Sequence, residues 1–153
     1  MTNNDILRRI RYIFDFNDDK MVTIFGQADY TASRAQISNW MKKDDDEDFK
    51  PLSDREFAVF LNGLINEKRG RKEGAQPEPE KKLTNNLIFL KLKIALDLKA
   101  EEVLEMMKAG GLELSKHELS AFFRRPGHKH YRECQEQSLR SFLKGMQLSI
   151  RGS

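Results

Sequence analysis

Residues 84–125 read TNNLIFLKLKIALDLKAEEVLEMMKAGGLELSKHELSAFFRR, and they restate residues 2–43 at an offset of 82 positions without a gap. The shared pattern opens with Thr-Asn-Asn at positions 2–4 and again at 84–86. Self-similarity at a fixed period indicates that one supersecondary unit occurs more than once, because each copy needs the same elements to bury its apolar side chains. The sequence therefore predicts two similar modules in tandem.

The match extends beyond this stretch to the end of the chain. A Phe-Leu-x-Gly element at 60–63 returns at 142–145 in the same register. We therefore expect repeat 1 to span residues 2–70 and repeat 2 to span residues 84–152. Residues 71–83 hold a glycine, two prolines and mostly charged side chains, which is the composition of a linker.

Apolar residues recur at helical spacing in four stretches of each repeat. Capping-box patterns begin at Ser33, Ser53 and Ser115, and we expect Asn3 or Asn4 to cap the first helix. In repeat 2 the predicted helices cover residues 87–98, 115–125 and 136–148, with a further helix between Ala100 and Gly110. No stretch alternates strictly between apolar and polar residues, so we predict an all-α fold with about four helices in each repeat.

The last helix of each repeat carries the two strongest packing predictions. Phe60 and Phe142 begin the Phe-Leu-x-Gly element and are predicted to be buried anchors. Gly63 and Gly145 lie inside the same helices, where glycine costs about 1 kcal/mol relative to alanine. Because the glycine recurs at the same place, we expect it to permit close approach of a second helix.

Composition restricts the class of protein. The chain has 153 residues, of which 39% are apolar and 33% charged, as in a folded soluble protein. The single cysteine, Cys134, excludes an internal disulfide, and no apolar run approaches the roughly 18 residues of a membrane span. The first residues lack the basic start and apolar run of a signal peptide. We therefore expect a cytoplasmic protein without a membrane partner.

Charge separates the two repeats. Repeat 1 has 11 basic and 13 acidic side chains, net charge −2, whereas repeat 2 has 12 and 8, net charge +4. The difference is concentrated after the third helix. There repeat 1 carries an acidic loop that consists of Asp44, Asp45, Asp46, Glu47 and Asp48. The corresponding part of repeat 2 supplies a basic cluster that we treat as a candidate binding site: Lys116, Arg124, Arg125, His128, Lys129, His130 and Arg132.

Two interpretations of this divergence follow. The loops can be solvated segments whose sequences drifted apart on a shared scaffold, since loops tolerate change. Alternatively, their opposite charges are complementary and orient the two modules or join neighbouring chains.

Catalysis and metal binding have little support in the sequence. His128, His130 and Cys134 carry donors that zinc prefers, but a structural site needs four ligands, so we expect no metal. An enzyme that uses Cys134 with His128 or His130 is a distant alternative, because no third orienting group accompanies the pair. No Gly-rich phosphate loop or EF-hand pattern is present, and we expect no cofactor.

A nucleic-acid binder is the alternative of a different class. The second and third helices of each repeat resemble a helix-turn-helix, and the basic cluster could contact phosphates. Against this, Thr31 and Glu113 stand where the usual turn glycine would be, and Ile37 and Trp40 fit a packed core. We therefore predict only weak, non-specific binding, on the order of 10⁻⁵ M at physiological salt.

The chain also resembles a known family. The resemblance is carried by Asn-Asp-Ile-Leu at 4–7, by the sequences at 60–65 and 67–70, by Arg-Glu-Cys at 132–134 and by the element at 142–145. These match the bacterial YehS-like family, which is built from two tandem copies of a domain of unknown function. The resemblance covers essentially the whole chain and implies a duplicated helical protein, but it transfers no catalytic or binding residue.

The leading hypothesis from the sequence is a non-catalytic binding or regulatory protein that engages a macromolecular partner. A protein partner is favoured over nucleic acid because the basic cluster lacks the basic and aromatic pattern of a known RNA module.

Overall fold

The computed structural model describes all residues from Met1 to Ser153 and contains helices but no strand, so the all-α prediction is confirmed. The chain forms two compact units, Met1–Leu83 and Thr84–Ser153, which are described separately below. None of the helices combines the length and apolar character that crossing a membrane requires.

Each unit has four helices in the same order. In the first unit these are α1 (Asn3–Phe14), α2 (Asp18–Gly26), α3 (Arg34–Met41) and α4 (Asp54–Arg69). In the second they are α5 (Asn85–Ala95), α6 (Ala100–Ala109), α7 (Lys116–Phe122) and α8 (Glu136–Met146), and a π-helical turn, Gln147–Arg151, continues α8. Every helix of the second unit begins 82 positions after its counterpart, which confirms the prediction that the repeats share one plan.

The first helix of each repeat is capped by threonine, so the prediction that Asn3 or Asn4 forms the cap is wrong. The Thr2 hydroxyl accepts from the Asp5 amide at 3.1 Å, and the Asp5 carboxylate accepts from the Thr2 amide at 2.9 Å. The Thr84 hydroxyl caps α5 by accepting from the Leu87 amide at 3.1 Å, without the reciprocal carboxylate contact. A threonine oxygen thus satisfies an amide at the helix start that has no intrahelical partner.

Asn4 is instead buried and holds the loop that follows α3. Its amide nitrogen donates to the Trp40 and Lys50 carbonyls, both at 2.9 Å, and its oxygen accepts from the Leu52 amide at 3.0 Å. These contacts join the end of α3 to the start of the segment before α4. The asparagine therefore fixes both ends of the acidic loop against α1.

Asn86 repeats this arrangement in the second unit. It donates to the Phe122 carbonyl at 3.0 Å and the Arg132 carbonyl at 2.8 Å, and it accepts from the Cys134 amide at 2.9 Å. The helix α7 ends at Phe122, three residues before the end that the sequence pattern predicted. Pro126 has no amide hydrogen to donate to the Phe122 carbonyl, which accepts from Asn86 instead. The residues after Phe122 consequently belong to a loop.

Aromatic rings form the centre of each core. Phe60 is fully buried and packs on Phe25, with ring centres 5.3 Å apart. Phe142 is also fully buried and stacks on Phe89 at 4.3 Å. Both predicted anchors are confirmed.

The two interior glycines mark the tightest helix contacts. A Cβ added at Gly63 would lie 2.0 Å from the Ile24 carbonyl oxygen, and one at Gly145 would lie 1.9 Å from the Met106 carbonyl oxygen. Backbone therefore touches backbone where α4 crosses α2 and where α8 crosses α6. The predicted close approach is confirmed.

Residues 71–83 form no helix or strand, yet they are tied to the first unit. Arg71 donates to the Gln27 carbonyl at 2.9 Å and pairs with Asp29 at 2.7 Å. The Leu83 amide donates to Asp54 at 2.9 Å. The segment thus makes specific contacts at both of its ends.

Candidate functional site

An open groove lies on the second unit between α5 and the loop that follows α7. Its volume is about 440 Å³, and its lining is largely apolar. The residues that line it are Thr84, Asn86, Leu87, Leu90, Phe122, Phe123, Arg124, Arg125, Pro126 and Tyr131. We call it the α5 groove.

The first unit has a smaller and more polar pocket of about 220 Å³ at the equivalent place. It is lined by Thr2, Asp5, Arg8, Lys43, Asp44 and Phe49, and each of these residues lies 82 positions before a residue of the α5 groove. The two repeats therefore build the same concavity from different side chains. Asp5 and Arg8 correspond to Leu87 and Leu90, and Asp44 corresponds to Pro126.

Arg8 spans the pocket of repeat 1. Its guanidinium donates to the Lys42 carbonyl at 2.8 Å and forms an ion pair with Asp5 on the same helix. This side chain thereby bridges α1 and the loop after α3. Leu87 and Leu90 have no polar group that could make either contact, so the corresponding space in repeat 2 stays open.

Aromatic residues form the far wall of the α5 groove. Phe122 is buried, while Phe123 and Tyr131 are half-buried. The Phe123 ring meets Phe89 edge-on at 5.2 Å, and the Lys93 amine lies 5.5 Å from the Phe123 ring centre. The wall is thus held in place by the core on one side and carries a cation on the other.

Members of the basic cluster differ in whether an acidic side chain pairs with them. Arg124 and Arg125 line the α5 groove, and no acidic side chain pairs with them or with Lys129. Lys116 pairs with Glu101 at 2.6 Å, and Arg132 pairs with Glu118 at 3.5 Å.

The pKa of each acidic partner is lowered by its hydrogen bonds. Hydrogen bonding to Lys116 lowers the pKa of Glu101, and hydrogen bonds from Ser115 lower the pKa of Glu118, with Arg132 adding to the effect. Lys116 and Arg132 therefore have acidic partners, which leaves Arg124, Arg125 and Lys129 as the cations of the basic cluster without one.

The three histidines lie near one another without forming a metal site. Rings of His128 and His130 are 5.5 Å apart, and those of His117 and His130 are 6.3 Å apart. The His128 Nδ1 accepts from the His130 amide at 3.0 Å. No three His, Cys, Asp or Glu side chains of the chain converge on a point where a metal ion could bind.

Cys134 belongs to the core and not to a surface site. It is 1% exposed, its amide is bound by Asn86, and burial raises the pKa of its thiol to about 12. Its counterpart in repeat 1 is the buried Leu52. Because the thiolate is the reactive form, this environment argues against the hypothesis of an enzyme with a Cys134 nucleophile.

The acidic loop is exposed over its whole length, Asp44 to Asp48. Asp46 accepts from the Asp48 amide at 2.8 Å, and Asp48 lies 3.8 Å from the Lys42 amine. These contacts are local and leave most of its negative charge facing solvent.

The helix-turn-helix interpretation agrees poorly with the geometry. Seven residues, 27–33, separate α2 from α3, whereas that motif has a turn of about three to four. Ile37 and Trp40 are buried, as the core interpretation requires.

A second cavity of about 360 Å³ lies between α6 and the end of α8, with Leu148 and Glu105 in its lining. In repeat 1 the equivalent place is crossed by the ion pair of Lys20 and Glu67 at 3.1 Å. This cavity provides a comparison site for the α5 groove.

Comparison with known proteins places the chain in a family. It is 42% identical over 147 residues to the uncharacterized protein YehS of Escherichia coli (strain K12), covering 95% of this chain and 94% of that protein. No solved structure matches the chain. The identity to YehS confirms the resemblance to the YehS-like family. A family model described as a protein of unknown function (DUF1456) matches residues 3–70 and again 85–152, and the chain belongs to this family, with one copy of the domain in each repeat.

Proposed function

We propose that this protein is a non-catalytic binding protein that engages a protein partner through the α5 groove. The observation that carries the proposal is the contrast between the two equivalent concavities. Repeat 1 narrows its pocket with the Arg8 bridge, whereas repeat 2 presents leucine, proline and aromatic side chains to an open volume about twice as large.

The size and lining of the groove suit side chains of a partner. A volume of about 440 Å³ lies within the range in which proteins bind ligand groups. Burial of a leucine-sized or phenylalanine-sized side chain contributes about 1.5–3 kcal/mol, so one or two anchors suffice for a specific but reversible contact. Hot spots of this kind dominate the energy of protein interfaces.

The charged groups of the groove suit binding better than proton transfer. Two arginines, Arg124 and Arg125, line the groove. The arginine side chain carries a permanent charge and offers donors in a fixed planar arrangement. Such groups orient a carboxylate or a phosphate without exchanging a proton with it. The chemistry of the lining therefore supports recognition.

Nucleic acid is the second candidate, and the unpaired cations Arg124, Arg125 and Lys129 favour it. Binding of this type releases counterions, so its affinity should fall steeply with salt concentration. The leucines of the groove contribute nothing to phosphate contacts. The two candidates therefore differ in their dependence on Leu87 and Leu90.

The test is a co-purification with groove-closing and control variants. Leu87→Asp combined with Leu90→Arg installs the side chains of repeat 1, and we expect the new arginine to close the groove. Leu148→Arg changes an exposed apolar residue of the second cavity by a similar amount and serves as the control. Circular dichroism should show that both variants fold.

We expect a protein that is retained by wild type and by Leu148→Arg, is lost from the double variant, and rebinds after separate purification. A ribonuclease- or deoxyribonuclease-sensitive partner that both variants retain would favour the nucleic-acid alternative. A partner lost only from Leu148→Arg would show that the partner binds at the second cavity and not at the α5 groove.

A further inference from the structure

We infer that the occupant of the α5 groove is an acidic amphipathic helix of the partner, an inference that rests on the function proposed above. It adds the shape and the charge of the recognised segment. Three observations carry it: the stripe of apolar residues along α5, the absence of carboxylates in the groove, and the nature of the groove walls.

The apolar surface of α5 is elongated. Leu87, Leu90 and Ile94 are three and four positions apart, so they lie on one face of the helix, and the stripe spans about 10 Å at 1.5 Å per residue. Leu87 and Leu90 line the groove, while Ile94 is 39% exposed one turn further along. A straight ridge of this spacing accommodates the ridge of another helix.

The equivalent face of α1 is different. The positions that correspond to Leu87 and Leu90 are Asp5 and Arg8, which pair with each other. The stripe is thus a property of repeat 2 alone. It is not a requirement of the fold, because repeat 1 builds the same helix without it.

The charge around the groove selects an acidic occupant. No Asp or Glu lines the groove, and α5 itself contains lysines but no acidic residue. Arg124, Arg125 and Lys129 lie along the opposite wall and the loop beyond it without acidic partners. A helix with carboxylates on both sides of its apolar stripe would satisfy these cations while its leucines enter the groove.

The walls favour a peptide over a nucleic-acid strand. Bases bind to exposed flat aromatic faces. Here Leu87, Leu90 and Pro126 supply much of the lining, and the Phe123 ring is engaged by Phe89 and by the Lys93 amine. Aliphatic surfaces of this kind match aliphatic side chains.

The inference is tested by selection from a phage library of random 18-residue peptides on the full-length protein. Binders of the groove-closed variant, Leu87→Asp with Leu90→Arg, are removed first. We expect the enriched peptides to carry Leu, Ile or Phe at positions i, i+3 or i+4, and i+7, with Asp or Glu in excess over Lys and Arg.

One enriched peptide is then synthesised and titrated by fluorescence anisotropy. We expect a Kd in the micromolar range, as is usual for a small transient contact, and helix formation on binding. Replacement of its apolar anchors by serine should weaken binding at least about tenfold, and so should Arg124→Glu combined with Arg125→Glu in the protein. Leu148→Arg should leave the Kd unchanged.

The remaining outcomes overturn the inference in distinguishable ways. Enriched peptides that are basic or lack a helical apolar pattern would refute it, and so would a selection that yields nothing specific to the open groove. If a groove-dependent protein partner is nevertheless found in extracts, the proposed function stands while the acidic helix is rejected. A 20-nucleotide RNA that binds more tightly than any peptide, and equally well to the groove-closed variant, would reject both.

Discussion

The two repeats share the same helices and core contacts, but they carry different side chains around an equivalent concavity. Each places a threonine cap, a buried asparagine and an interior glycine at positions 82 apart, and each thereby builds a concavity between its first helix and the loop after its third. In repeat 1 that concavity holds Asp5, Arg8 and Asp44. In repeat 2 it holds Leu87, Leu90 and Pro126. A few substitutions at the rim therefore change what the site can bind without altering the helices that form it.

The largest effects on stability are expected in the cores, where the two repeats are alike. Phe60→Ala and Phe142→Ala each remove a fully buried ring from equivalent positions, so each should lower the free energy of unfolding by about 3–5 kcal/mol. Urea denaturation followed by circular dichroism measures both. Trp40, the single tryptophan, lies in the core of repeat 1, and its fluorescence reports the Phe60→Ala change directly. A loss in only one of the two variants would show that the cores are not equivalent.

Gly63→Ala and Gly145→Ala test the helix contacts. Each added Cβ would meet a backbone carbonyl at about 2 Å, which no rotamer change relieves. We expect each to destabilise the protein by about 3 kcal/mol through forced separation of the helices. Gly26→Ala is the matched control, since nothing lies within 4 Å of its Cβ position in α2. It should be neutral or stabilise the protein by up to about 1 kcal/mol. Equal melting temperatures for all three variants would contradict the geometry.

Asn4→Ala and Asn86→Ala test the fixed loop ends. Each leaves two carbonyls and one amide without their partner, and partial access of water limits the expected loss to about 2 kcal/mol. Amide hydrogen exchange should accelerate first at Leu52 and Cys134. Asn39→Ala removes one part-buried contact to Lys42 and should change stability by less than about 0.5 kcal/mol.

The last prediction concerns the pH dependence of stability at Cys134, where repeat 1 has leucine. Its folded pKa of about 12 lies above the value near 9.0 of an exposed thiol. A raised folded pKa contributes stability that is fully present below pH 9 and is lost as the pH rises towards 12. Cys134→Ala should therefore show a shallower loss of stability over this window than wild type. Native protein should also resist alkylation at pH 8, because the thiol is buried and its raised pKa keeps it protonated. Rapid modification of folded protein would show that the thiol is accessible.

The periodic features of the fold could be predicted from the sequence. The offset of 82 positions predicted the order of the helices, and the phenylalanine and glycine of the last helix indicated its packing correctly. The bounds of the first helix of repeat 2 were wrong, since α5 spans Asn85–Ala95 and not residues 87–98. The packing predictions are correct because the spacing of residues along one helix decides which side chains are buried and where a second helix can approach. The end of α7 was predicted three residues too late, because Pro126 lacks the amide hydrogen that would continue the helix from the Phe122 carbonyl, and Asn86, 36 positions away, binds that carbonyl instead.

The candidate site was predicted only in part. Arg124 and Arg125 stood out as charges, and the structure places both at the α5 groove. The sequence pattern did not distinguish Leu87 and Leu90 from the other apolar residues of the same helix. The available signal was the comparison of each residue with its partner 82 positions earlier, where aspartate and arginine become leucine. Which of the cations already have acidic partners could not be read from composition, because those partners come from other helices.

The buried asparagines have a consequence for engineering. Each clamps its loop at the carbonyl where the preceding helix ends and again at the amide that leads into the next helix, so the residues between the clamps are tethered independently of their own sequence. Doubling the length of such a tethered loop adds only about 0.6 kcal/mol of closure entropy. The exposed segments 43–48 and 125–130 should thus be exchangeable with each other, or replaceable by unrelated peptides, which makes each repeat a scaffold for displaying a loop of chosen sequence.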